Sequence, residues 1–220
     1  MAAKSTKGTK ICIVKDGATG VSITPTGASL AAPSVITTLD TDTLKDGDLI
    51  YLGAAATGIP EIDGKWFVVA NLVADTSFEL LGSDATGSTG TFAAGTTMKG
   101  YPEAANMQCI CLSGISFNRD TPDNISTATF CDSTASIPGS STSAGSVDFT
   151  GYVNIADADY KELLKLEESG NDTAFRITLP SNGTIVFPAT ITQISIEIAL
   201  EGAVSYSGSA TLKSAAKHLF

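Results

Sequence analysis

The stretch Thr192-Gln193-Ile194-Ser195-Ile196-Glu197-Ile198-Ala199-Leu200 alternates, from Gln193 on, between large apolar residues and small or polar ones. A period of two marks a strand with one face on a core and the other in water. Ile194, Ile196, Ile198 and Leu200 therefore share one face, and Gln193, Ser195, Glu197, Ala199 and Glu201 the other. Glu201-Gly202 suits a two-residue hairpin turn. Beyond it the pattern resumes, with Val204, Tyr206, Ala210 and Leu212 set against Ser205, Ser207, Ser209 and Thr211. The reading predicts a two-stranded ribbon, greasy on the side that seals the protomer and covered with hydroxyls and two acids on the other.

Upstream of the ribbon, Asp157 to Gly170 reads as the one convincing helix. Asp157 or Asp159 caps its start, Tyr160, Leu163, Leu164 and Leu166 form its apolar stripe, and Gly170 stops it. Strands are expected over 107–118, 125–131 and 146–154, with loops at 118–124 and 138–145. The second loop, rich in Ser and Gly, is too poor in apolar residues to pack alone. Residues 9–24 hold a strand, a turn at Gly17 and a second short strand.

Residues 35–97 have a different texture. Strands are expected near 35–39, 48–52, 66–71, 77–81 and 91–93, with Asp46-Gly47, Asp63-Gly64 and Gly82-Ser83 as turns. Acids from Asp40 to Asp84 far outnumber the two lysines of this block, Lys45 and Lys65, and the Gly/Ser/Thr tract from Gly82 to Thr97 reads as its exit linker. The chain is thus expected to be mainly β. An antiparallel β-sandwich or partial barrel, from 1–34 and 98–220 with one flanking helix at about 157–169, carries a small inserted all-β domain at 35–97.

Charge and chemistry narrow the function. A net charge of −10 over 220 residues argues against gripping nucleic acid, because phosphate binding depends on clustered Lys and Arg. The first twenty residues lack the apolar run of a secretory signal, and no stretch approaches the length of a membrane span, so the chain is expected to stay in the cytosol. Cys109 and Cys111 point to one side of a strand and cannot readily bridge each other. The four cysteines, Cys12, Cys109, Cys111 and Cys131, lack paired zinc knuckles and read as small buried hydrophobes. His218 is the lone histidine, and Asp120, Asp123 and Asp132 have no matching base or nucleophile, so neither enzyme, metal nor other cofactor is expected. Trp66 beside Phe67 fits sugar stacking, but a Trp within Lys-Trp-Phe-Val-Val fits a core strand better.

The order of elements resembles a family. Strands, one helix ending in Glu168-Ser-Gly-Asn-Asp172, the element Phe175-Arg-Ile-Thr-Leu-Pro-Ser-Asn-Gly-Thr184, and two alternating strands to Lys213 are similar to the major tail tube protein of long-tailed, siphophage-type bacteriophages. Gly47-Asp-Leu-Ile-Tyr-Leu52 and Gly58-Ile-Pro-Glu-Ile-Asp-Gly-Lys-Trp-Phe-Val-Val69 resemble a small β module inserted in many phage virion proteins.

The resemblance implies a structural virion protein, assembled in the host cytoplasm into stacked homohexameric rings. They form a tail tube through which DNA is ejected without specific binding and without a membrane partner. Tape measure, tail terminator and distal tail proteins are the implied partners. It would place Gln193, Ser195, Glu197, Glu201, Ser205, Ser207, Ser209 and Thr211 on the lumen, where acids repel DNA and ease its passage. A plain solvent-facing sheet would show the same residue pattern.

Asp120, Asp123, Asn124, Ser140 and Ser141 in the two loops, the basic arm Lys4, Lys7 and Lys10, and Leu219 and Phe220 at the tail become candidates for contact between rings. The inserted module would sit outside, since it would block the bore. The rival reading is an all-β adhesion or carbohydrate-binding module of a phage fibre or cell surface, marked by an exposed aromatic cluster.

Overall fold

The computed structural model describes residues 8–39, 41, 43–53, 56–93, 98–118, 124–126, 136–138, 145–153, 158–180, 183–198, 203–214 and 217–219. Strand β1 (Lys10–Val14) leads into a module made of β2 (Val21–Ile23), β3 (Gly27–Ala28), β4 (Ser34–Thr37), β5 (Leu49–Tyr51), β6 (Trp66–Val73), β7 (Ser77–Leu81) and β8 (Met98–Tyr101). After the single-turn helix α1 (Glu103–Asn106) come β9 (Met107–Ile110), β10 (Leu112–Asn118), β11 (Asn124–Ser126), β12 (Ser136–Pro138) and β13 (Ser146–Tyr152). The chain then forms α2 (Ala158–Ser169), β14 (Asp172–Thr178), β15 (Thr184–Glu197), β16 (Ser205–Leu212) and β17 (Lys217–Leu219). The protein is mainly β, with two large antiparallel sheets and one helix of any length.

The larger sheet runs β10-β13-β16-β15-β14-β1-β9, with β17 also on β15. Its two end strands are consecutive in the chain, separated only by Cys111. The sheet therefore folds back on itself as a flattened barrel, turning one corner at Cys111 and the other along β15. The second corner has a visible cause: the pairing of β15 with β16 slips between Ile191 and Gln193, and such a bulge bends a strand and raises its twist. It also reverses parity, so that Ile185, Phe187, Ala189 and Ile191 share the inner face with Ile194. Phe117 of β10 meets Phe187 of β15 edge-on at 5.0 Å across the interior.

That interior holds Ile11, Ile13, Phe149, Phe175, Ile177, Phe187 and Tyr206, and α2 lays Tyr160, Leu163 and Leu166 on it. Two positions depend on glycine, one for space and one for backbone conformation. A Cβ at Gly208 would lie 2.4 Å from the Phe149 ring, so only glycine leaves room for it. Gly170 ends α2 at φ +63°, and its N–H donates to the Leu166 carbonyl at 3.1 Å.

The module occupies the turn of what would otherwise be the β1–β9 hairpin, since Val14 and Met107 are paired residues. Its seven-stranded sheet, ordered β2-β8-β5-β6-β7-β4-β3, takes in residues 21–28 and 98–101, beyond both ends of the expected 35–97 block. Residues 91–93 form no strand. In the tract taken for an exit linker, Ala85 is buried in the module core and the Ser83 hydroxyl donates to the Leu80 carbonyl, so that part is packed.

One face of the module sheet, with Ile50, Phe67, Val69, Phe78 and Leu80, builds the module's own core. The other presents Leu49, Val68 and Leu81 to Cys12, Val14, Ala174 and Val186 of the barrel. Leu219 is buried in the same seam at 3% exposure, which corrects the expectation that it is free to dock elsewhere.

The cysteines also differ from expectation. Cys12 and Cys109 are direct cross-strand partners and form a disulfide, while Cys111 is free and exposed. The bridge ties together the two stems from which the module leaves and returns.

Candidate functional site

Pairing registers fix which side chains share the barrel's outer face. Gln193, Ser195 and Glu197 lie opposite Ser209, Ser207 and Ser205, and Thr190 lies opposite Thr211. Across β16, the same residues face Ser146, Asp148, Thr150 and Tyr152 of β13, whose partners on β10 include Asn118 and Ser116. Four adjacent strands thus present one hydroxyl- and carboxylate-bearing surface, and no Lys or Arg occupies these positions.

Gln193, Ser195, Glu197, Ser207 and Thr211 are exposed, and Ser205 and Ser209 are half-buried. The Ser209 hydroxyl donates to Asp148 Oδ1 at 2.7 Å, Asn118 donates to the other carboxylate oxygen, and Ser113 pairs with Thr150 at 3.0 Å. Ser116, Asn118, Asp148 and Thr150 were not among the expected lumen residues. Their signal was legible, because Ser146-Val-Asp-Phe-Thr150 alternates as cleanly as the ribbon does.

The opposite face of the ribbon departs from expectation. Tyr206 and Leu212 are buried and Ile194 packs at the core's margin, but Ile196 is 52% and Ile198 78% exposed. The cause is length. Pairing with β14 stops at Thr190, and the Glu167 carboxylate of α2 accepts from the Ile194 N–H at 2.7 Å as the last cover on that edge. Among the described residues, the end of β15 then runs on with no partner on that edge, and Ile196 in the strand and Ile198 just past it are exposed, a feature that invites pairing with another chain.

Of the expected inter-ring residues, Lys10, Asn124 and Leu219 lie among the described residues. Lys10 pairs with Glu103 inside the protomer, and Asn124 lies in β11, which pairs with β12. Glu201, Asp120, Asp123, Ser140, Ser141, Lys4, Lys7 and Phe220 lie outside the described residues, as do Asp132 and Cys131.

A second polar cluster lies where the module meets the barrel. Arg176 of β14, 4% exposed, donates to the Gly47 carbonyl and pairs with Glu103, which also holds Lys10. Asp48 accepts from the backbone N–H groups of Lys45 and Glu103 at 2.8 and 2.9 Å. Hydrogen bonding from Lys10, with help from Arg176, holds the Glu103 carboxyl below its ordinary range, whereas burial pushes Asp48 up. Cys12, Cys109 and Glu103 approach one another as metal ligands would. The two sulfurs are bonded to each other, however, and an arginine cation sits on Glu103, so the donor set suits a staple better than an ion.

No family model and no curated protein matches this chain. Among solved structures, a chain from a "Virion of native gene transfer agent (GTA) particle" is 21% identical with a TM-score of 0.37, over 52% of this chain and 89% of that one. At that level of likeness, function has to be argued from this chain's own residues.

Proposed function

We propose that the protein is a structural, non-enzymatic virion component whose copies close into stacked hexameric rings, making a tail tube with the hydroxyl face on the bore. The observation that carries this reading is the four-strand polar face, with no Lys or Arg at its described positions, beside a strand edge that no other described strand covers. If each of six copies contributes those four strands, about two dozen strands close into one barrel. Closure would cover the edge at Ile196 and Ile198. Residues such as Glu197 and Asp148, repeated round each ring, would repel the DNA backbone and keep it moving. The module packs on the outward side of the β9-β1-β14 layer, opposite the polar face, so it would project outside and leave the bore open. The element order of the tail tube family supports the same reading, and ring number and tail partners follow from that resemblance.

Electron microscopy of the purified chain tests it. Rings or hollow tubes roughly 100 Å across are expected, the width that about two dozen strands give. A discrete monomer at high concentration would count against the proposal. Glu197→Lys should slow DNA delivery while tubes still form; unchanged delivery would remove that face from the lumen.

A further inference from the structure

A groove of about 630 Å³ opens at the seam between module and barrel, next to the Thr190 end of the polar face, where the Thr190 hydroxyl donates to Asp172. Trp66 is half-buried in its wall, flanked by Tyr51 and Tyr101 with ring centroids 5.1 and 5.0 Å away. The rim is polar and holds one acid and two lysines. Asp172 and Lys213 pair at 3.1 Å with side chains 61% and 49% exposed, and Lys65 stands beside them. This aromatic cluster was not legible in the sequence, because Tyr51, Trp66 and Tyr101 come together only when β5, β6 and β8 pair.

Each ingredient selects for a ligand. Aromatic faces carry partial negative charge, which attracts the electron-poor C–H face of a sugar ring, and they bury its apolar side. An aspartate and a lysine in one rim offer an acceptor and a donor to neighbouring hydroxyls. Asp172 neutralises one of the two lysines, and the single cation left over falls short of the clustered Lys and Arg that a phosphate chain needs. Its volume lies within the usual range for ligand sites.

We propose that this groove binds a neutral glycan chain, with a sugar ring stacked on Trp66 and hydroxyls bonded to Asp172 and Lys213. The assignment goes beyond the tube reading and does not depend on it.

Trp66 is the only tryptophan in the chain, so its emission reports on the groove directly. The dispersed full-length protein is titrated with maltohexaose, cellohexaose and chitohexaose up to about 10 mM, a ceiling that covers millimolar affinity. At least one should give a saturable shift in emission. Tyr51→Ala should weaken that binding at least about tenfold, and Asp172→Asn, at an exposed position, a few-fold. Tyr152→Ala, at the other end of the polar face, should leave it unchanged.

No saturable shift with any of the three sugars would overturn the proposal. So would a shift that survives both groove variants, or saturation by a peptide of residues 1–10 in place of sugar, which would make the groove a protein-docking site.

Discussion

The outer surface of one barrel has two halves built by the same alternation and put to opposite uses. On β1, β14 and the start of β15 the outward residues Cys12, Ala174, Arg176 and Val186 are buried at the module seam, with Lys10 and Asp172 exposed at its margins. On β16, β13, β10 and the end of β15 the outward residues are hydroxyls, amides and acids, and they lie open. Both halves share an apolar inner face. Alternation tells which residues point outward; what waits outside is told by the residue type found there. A face destined for another protein surface is greasy or ion-paired, while a face that must stay wet is covered in serine and threonine.

The contrast can be broken most strongly at the covered half's staples. Replacing both Cys12 and Cys109 with alanine frees a 97-residue separation and should cost up to about 4.7 kcal/mol by loop-closure entropy, seen as a lower denaturant midpoint. Arg176→Met should cost about 3 kcal/mol, near the low end for breaking a buried ion pair because Glu103 keeps Lys10. Hydrogen exchange should then rise across the seam first, at Leu49 and Val68.

Swapping chemistry between the halves sharpens the comparison. Val186→Ser buries an unpartnered hydroxyl and should cost about 2 kcal/mol. Ser207→Val on the open half should change unfolding by under about 0.5 kcal/mol. Equal costs would mean that the open half is covered too.

The smallest effect is one of pH. Glu103 is held below its ordinary value of 4.5, so its contribution is fully present above that value and is lost as pH falls through the lower folded one. Asp48, raised by burial, acts in the opposite sense: its cost is relieved as pH falls through its raised value. The gap in thermal midpoint between the native chain and Glu103→Gln should therefore narrow below about pH 4.5.

Much of this was legible in residue order. The ribbon's polar face and the helix at 158–169 follow from periodicity and from Gly170, because both are local signals. The corner was missed, although Thr192-Gln193, two polar residues in succession, interrupts the alternation that starts at Ile185. The module's true extent was missed because β2 and β3 span three and two residues, too few to show a period. Cys12 with Cys109, Arg176 with Glu103, and Leu219 in the seam are contacts between distant segments, which no local pattern encodes. Ile196 and Ile198 look like core residues in sequence, and only the end of β14 shows that no described residue covers them.

The most direct test concerns the open half. Ser207→Cys in a background carrying Cys111→Ser and Cys131→Ser can be treated with a bulky polyethylene-glycol maleimide, before and after self-assembly, with Lys99→Cys on the module as the outward control. The account predicts that assembly shields position 207 while position 99 keeps reacting. Equal labelling of position 207 in the dispersed and assembled states would contradict it.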